Sequence, residues 1–191
     1  MNYEERGPML IESFVPINLC EQIIKAYKQG QPKSRSYQGI VDLKVRNSTF
    51  VPLPTRFISI FSDSIRLVME EYFGLPIDDN IESTPLIYGY PVGIGFILHH
   101  DLVTQIERER GLYNGQPVIG GDFSVVLFVN DPIEYLGGEL YFPNHNCEFK
   151  PPRGSVVAFP ATEDFVHGVR PILSGIRFSV LCRMNRKQLV T

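Results

Sequence analysis

The chain has 191 residues, 43% of them hydrophobic and 20% charged, with 18 basic against 21 acidic side chains. This is the composition of an ordinary globular protein, and a single domain of this size buries roughly 70% of its unfolded surface, so folding needs no disulfide or metal staple. A net charge of −3 leaves no electrostatic footprint for non-specific nucleic-acid binding, though a nucleic-acid substrate held by a few local contacts stays open, and no apolar run approaches the ~18 residues of a membrane span.

In chain order, "SFVPINLCEQIIKAYKQG" places Ile17, Cys20, Ile23, Ile24 and Tyr27 at helical spacing, with Gly30 as a stop. Residues 31–56 hold Pro32, Pro52 and Pro54 among polar residues and read as loop and short strand. A second helix is predicted in "RFISIFSDSIRLVMEEYFG", with Ile58, Phe61, Ile65, Val68, Met69 and Tyr72 on one side and Gly74 ending it. From about residue 84 the pattern changes to short apolar runs rich in β-branched and aromatic residues: "PLIYGY", "GIGFILHH", "FSVVLFVND", "GGELYFP", "GSVVAFP" and "GIRFSVLCRM". Helices followed by a run of strands is the α+β, mainly β pattern, with helices on one face of a β core. Residues 102–121, charged ("QIERER") and Gly-containing, read as an excursion or a lid.

Cys20, Cys147 and Cys182 stand at wide spacings with no CxxC pair, and the start "MNYEERGPML" lacks the pattern of a signal peptide. The expectation is a reduced, soluble, cytoplasmic protein forming one domain over 1–191, with no membrane partner. No sequence feature points to a particular oligomeric state.

The chemistry begins where a strand-like run ends in His99, His100 and Asp101. Side chains alternate faces along a strand, so His99 and Asp101 share a face and His100 points away. A His-x-Asp on a strand is by itself more often structural than metal-binding. Of the two remaining histidines, His145 lies in the polar turn "FPNHNCEF", and His167 follows the strand "GSVVAFP" within "EDFVHGVRP". Two histidines and a carboxylate with open positions make the facial triad of non-haem Fe(II) oxygenases; an aquo-zinc hydrolase is the other reading. Ten residues past His167, Arg177 opens the strand "RFSVLCRM" with Ser179 on the same face. A guanidinium fork beside a hydroxyl suits a carboxylate. A metal triad with a carboxylate receptor implies a dicarboxylate that chelates the metal at one end and is anchored by Arg177 at the other.

The stretch "YPVGIGFILHHD" resembles the YxxGxxYxxHxD segment of the prolyl 4-hydroxylase-like 2-oxoglutarate/Fe(II)-dependent dioxygenases. "LFVNDPIEYLGGELYFP" and "GSVVAFPATEDFVHGVRPILSGIRFSV" resemble the later segments of that family, in order, over roughly residues 84–185. The resemblance implies a double-stranded β-helix (jelly-roll) core over 84–185, supported by helices in 1–83. It implies Fe(II) held by His99, Asp101 and His167, and 2-oxoglutarate held by Arg177 with Ser179 and Tyr90 as helpers. Phe96 and Phe128 stand where relatives can carry Tyr, so a hydroxyl made there in relatives is absent here or supplied by Tyr90 or Tyr88. Arg177 in place of the lysine of collagen-type enzymes points to the oxygen-sensor-like and microbial branches. The presence of Asp101 points to hydroxylation, since halogenating relatives lack that carboxylate.

The implied activity is hydroxylation of a prolyl or other residue in a peptide or protein, using O2 and releasing succinate and CO2, with ascorbate as reductant. The same chemistry on a free amino acid or modified nucleobase is the alternative within that family. A non-catalytic metal-binding jelly-roll module is the alternative outside it. Gly137 and Gly138 of "GGEL" are expected to permit a turn into the next strand, with Glu139 on the rim.

Overall fold

Strands that are apolar on both faces need both faces covered, and the chain meets that demand with helices on one side and a second sheet on the other. The computed structural model describes residues 3–34, 48–81, 83–103, 112–113, 116–117 and 120–188. In chain order the elements are β1 (Met9–Ile11), α1 (Ile17–Gln29), β2 (Lys33–Ser34), β3 (Thr49–Pro52), α2 (Arg66–Phe73), β4 (Leu86–Tyr90) and β5 (Phe96–His99). A short hairpin of β6 (Leu112–Tyr113) and β7 (Gln116–Pro117) precedes β8 (Phe123–Phe128), β9 (Tyr135–Gly137), β10 (Leu140–Phe142) and β11 (Cys147–Phe149). The chain then forms β12 (Val156–Pro160), β13 (His167–Val169), β14 (Ile172–Gly175) and β15 (Arg177–Met184).

The major sheet has the order β1-β12-β8-β15-β4-β3-β2, and the minor sheet the order β11-β10-β13-β5, with β14 and β9 as a separate ribbon. All the named pairings are antiparallel. The expected jelly-roll of two antiparallel sheets with supporting helices is what the chain forms. The six expected strands match β4, β5, β8, β10, β12 and β15. Three strands from the region expected to be helical support, β1, β2 and β3, join the major sheet as well. Of the 31–56 segment, residues 35–47 lie outside the described residues. So does most of the expected lid, apart from 102–103, the β6–β7 positions and 120–121.

One face of the major sheet, including Phe123, Val125, Leu127, Phe178, Val180 and Cys182, packs on Cys20 and Ile23 of α1 and on the second helical region. That region starts with a tight turn at Thr55–Phe57 and contains a π-helical turn at Ile60–Ile65 before α2. Its buried residues Phe57, Phe61, Ile65, Met69 and Phe73 recur every four positions. In an α-helix each four-residue step overshoots a full turn by about 40°, so a strict four-residue stripe winds away from the sheet. The wider π turn takes up part of that drift. The expected face is therefore only half right: Ile58, Val68 and Tyr72 are partly buried, while Phe57, Ile60 and Phe73 reach the core. Gly74 ends α2 in the left-handed conformation, φ 70°, as a helix-ending glycine does. No helix among the described residues is long and apolar enough to cross a membrane.

The opposite face of the major sheet looks toward the minor sheet. Along β15 the alternation sends Phe178, Val180, Cys182 and Met184 to the helices, leaving Arg177, Ser179, Leu181 and Arg183 for the inner face. Val126 and Phe128 of β8 and Val157 and Phe159 of β12 meet Leu140 and Phe142 of β10 and Phe96 of β5 across the gap. The space between the sheets is where the candidate chemistry lies.

Candidate active site

His99 and His167 are direct partners across the β5–β13 pair, which places their rings 4.3 Å apart between centroids. Each Nδ1 lies 2.9 Å from the carbonyl two residues earlier, Ile97 for His99 and Phe165 for His167. A ring nitrogen beside a carbonyl carries the proton, which puts the lone pair that can ligate a metal on Nε2 of each imidazole. Asp101 completes the group: Oδ1 is 3.6 Å from His99 Nε2 and Oδ2 is 3.7 Å from His167 Nε2. The three candidate ligand atoms all lie within 4.8 Å of one another. That arrangement and donor set fit a divalent iron with open positions. Phe96, Phe142 and Phe159 surround the two imidazoles, with ring centroids 3.9 to 5.5 Å from them.

The convergence does not arise only by strand alternation. β5 ends at His99, so Asp101 lies beyond the ladder, and other residues hold it. Arg183 Nη1 is 2.5 Å from Asp101 Oδ2, Arg183 Nη2 donates to the Asp101 backbone oxygen at 2.5 Å, and Ser124 Oγ donates to Oδ2 at 2.5 Å. Arg183 Nη1 also donates to Ser124 Oγ. Burial pushes the Asp101 carboxyl up, but Arg183, the two imidazoles and Ser124 outweigh it and hold the group well below the usual carboxylate range. Burial pushes the His167 imidazole below its ordinary value, against the pull of Asp101; the ring is neutral at pH 7, as a metal ligand must be.

Arg177 is only 1% exposed. It donates from Nη1 to Ser179 Oγ at 3.4 Å, lies 4.9 Å over the Phe128 ring and 5.2 Å over the Tyr90 ring, and leaves Nε without a partner. No carboxylate lies within ion-pair distance of it among the described residues. A buried cation with no counter-charge costs several kcal/mol, so this geometry asks for an anion.

Three side chains flank the guanidinium. Ser179 contributes its hydroxyl. Tyr90, expected as a hydroxyl donor, is the cross-strand partner of Arg177 and presents its ring. Tyr135, which the sequence reading passed over, has a buried hydroxyl that makes no geometrically complete hydrogen bond among the described residues and faces Arg177. Burial raises its pKa, against the lowering effect of the adjacent Arg177, so the hydroxyl stays a donor. Gly138 sits beside both: a Cβ there would come 3.1 Å from Arg177 Cδ and 3.1 Å from Tyr135 Cε2, and its φ is 74°. Gly137 and Gly138 thus do what was expected of them, turning the chain where side chains do not fit.

Asn130 fixes the entry to β15. Its Oδ1 accepts from the Phe178 amide and its Nδ2 donates to the Ile176 carbonyl, each at 2.8 Å, so it clamps both neighbours of Arg177. Asn130→Ala strands the buried Phe178 amide at about 1–3 kcal/mol and removes the bond to the part-buried Ile176 carbonyl at about 0.5–1.5 kcal/mol. The expected result is a Tm lower by about 5–15 °C, checked by calorimetry. His145, by contrast, does not join the site: it stacks on Phe165 with centroids 4.3 Å apart.

Curated proteins similar in sequence include hydroxylases. A PKHD-type hydroxylase of Xanthomonas axonopodis pv. citri is 35% identical over 95 residues, 49% of this chain and 40% of that protein. One from Synechococcus is 30% identical over 98 residues, 50% of this chain and 40% of that protein. The solved structures most like it include a viral collagen prolyl hydroxylase from Paramecium bursaria Chlorella virus-1 in its 2OG complex, at TM-score 0.70 and 18% identity, covering 96% of this chain and 97% of that one. A prolyl-4-hydroxylase of Pseudomonas putida aligns at TM-score 0.69 and 18% identity, covering 95% and 93%. The chain has the fold of the prolyl 4-hydroxylase-like 2-oxoglutarate/Fe(II) oxygenases. A Trichoplax adhaerens prolyl hydroxylase in complex with a hypoxia inducible factor peptide fragment shares this oxygenase fold at TM-score 0.69 and 17% identity, covering 93% and 83%. The sequence match spans about two-fifths of the length of the curated PKHD-type relatives. No protein-family model matches the chain.

Proposed function

We propose that this chain is an Fe(II)- and 2-oxoglutarate-dependent dioxygenase that hydroxylates a prolyl or other residue in a peptide or protein. The observation that carries the reading is the buried, unpaired Arg177, on the same sheet face as the residues that anchor Asp101. Arg177 and Arg183 stand six residues apart on one face of β15, so the proposed carboxylate anchor and the metal group face the same side of the sheet.

His99, Asp101 and His167 would hold the iron through Nε2, a carboxylate oxygen and Nε2. Bound iron with 2-oxoglutarate and O2 would supply the oxidising power, releasing succinate and CO2. The protein's own part is orientation. Arg177 would grip the distal carboxylate with its fork, Ser179 and Tyr135 would add hydroxyl donors, and the rings of Tyr90 and Phe128 would wall the guanidinium off from water. The rings of Phe96, Phe142 and Phe159 would keep the imidazoles dry. Ascorbate as reductant belongs to the same proposal.

A peptide is favoured as substrate by the fold shared with a prolyl hydroxylase that takes a peptide fragment and by the acidic charge balance, which does not favour nucleic acid. The test is succinate formation by iron-loaded protein with 2-oxoglutarate, alone and with proline-rich peptides, free amino acids or methylated oligonucleotides. The expected result is slow succinate release without substrate, stimulated by prolyl peptides that gain one oxygen atom in mass. Stimulation by oligonucleotides alone would move the substrate class. No succinate under any condition would leave a metal-binding module.

A further inference from the structure

We propose that Arg183 is the positioning residue of the metal centre: it turns Asp101 so that Oδ1 faces the metal while Oδ2 is held by the protein. This rests on the metal site of the proposed function. A carboxylate offers about four lone-pair sites over its two oxygens. Here Oδ2 takes donors from Arg183 Nη1 and Ser124 Oγ, whereas no hydrogen bond reaches Oδ1 among the described residues. The oxygen left for a metal is Oδ1, 3.6 Å from His99 Nε2.

The need for such a residue follows from where Asp101 lies. His99 and His167 are fixed by their strand pairing, but Asp101 comes after β5 has ended and has no ladder partner of its own. Arg183 replaces that partner, because one arm of its fork reaches the side chain of Asp101 and the other its backbone oxygen. Backbone and carboxylate are thereby fixed together. Lysine, a point charge on a flexible stem, cannot span both acceptors in that geometry.

The arginine is itself held. Ser124 is its cross-strand partner on β8, and its hydroxyl links Nη1 to Oδ2. Gly121, at φ 156°, lies against the stem: a Cβ there would come 2.8 Å from Arg183 Cβ and 3.3 Å from Nε. Arg183 is 4% exposed, so it is built into the wall rather than laid on it.

The test is titration of metal-free protein with Co(II) under nitrogen, read by the d–d absorption bands, for wild type, Arg183→Met, Arg183→Lys and Ser124→Ala. Removal of an outer partner of a metal ligand typically weakens binding 10- to 100-fold. Arg183→Met is expected to fall about that far, Ser124→Ala less far in the same direction, and Arg183→Lys between Arg183→Met and wild type. The d–d bands of Arg183→Lys and Ser124→Ala should also shift, which a role in packing alone does not produce. Wild-type affinity and bands in folded Arg183→Met and Ser124→Ala overturn the proposal. If Arg183→Met does not fold, unchanged bands and affinity in Ser124→Ala and Arg183→Lys overturn it equally. 2-Oxoglutarate takes no part in this titration, so the co-substrate reading can fail while this one stands. A wild-type protein that binds no Co(II) overturns both.

Discussion

Arg177→Met is expected to weaken 2-oxoglutarate binding by about 30- to 5,000-fold, the range that follows from about 2–5 kcal/mol for truncating one partner of a buried charge pair. The same substitution is expected to leave metal binding intact. It should also raise the Tm of the protein without co-substrate, because it removes a buried cation that no carboxylate among the described residues faces and that costs free energy until an anion arrives. Loss of affinity together with gain of stability is the signature of a residue kept for a ligand. Titration of iron-loaded protein and calorimetry of ligand-free protein read the two halves separately. A fall in both would mean that Arg177 serves the fold.

Asp101→Ala is expected to act in the opposite way on stability. It removes a metal ligand, and it also leaves the Arg183 guanidinium buried without its counter-charge. Breaking a buried pair in this way costs about 3–5 kcal/mol, about 6–20 °C in Tm for a chain of this length. His167→Ala also abolishes metal binding but strands no charge, so it should lose less for its size. The pH dependence has a definite sign. Because the folded protein holds the Asp101 carboxyl below its ordinary value of 3.8, the pair's contribution is fully present above that value and fades as pH falls below it. Unfolding curves of wild type and Asp101→Ala should therefore converge in acid. Equal Tm values for Asp101→Ala and wild type at pH 7 would show that the ion pair adds nothing.

Much of this fold was legible in the sequence because its core strands announce themselves. The runs at β4, β8, β12 and β15 are long, β-branched and bounded by turn residues, and α1 carries a regular stripe. The short strands β9, β11 and β13, three residues each, hold no period that a local pattern can show. The stripe of α2 misled by its π turn, since 3.6-residue spacing was assumed where the chain packs every fourth residue. His99, Asp101, His167 and Arg177 stand out as candidates in the sequence because their order and spacing are local properties of the chain. What holds them does not. Arg183 lies an even number of residues from Arg177 and so shares its face, a signal present in "RFSVLCRM", but its partner Asp101 is 82 residues earlier. Tyr135 and Asn130 likewise act on β15 from the far side of a turn. Pairings of that range are fixed by sheet register, which no single segment encodes.

The central claim is that one small dicarboxylate bridges the His99–Asp101–His167 group and Arg177. The direct measurement is anaerobic visible absorption of the protein with Fe(II), before and after 2-oxoglutarate is added. A weak metal-to-ligand charge-transfer band that needs both components, is lost in His167→Ala and needs far more 2-oxoglutarate in Arg177→Met is the predicted result. Bound iron with no such band in folded wild-type protein would contradict it.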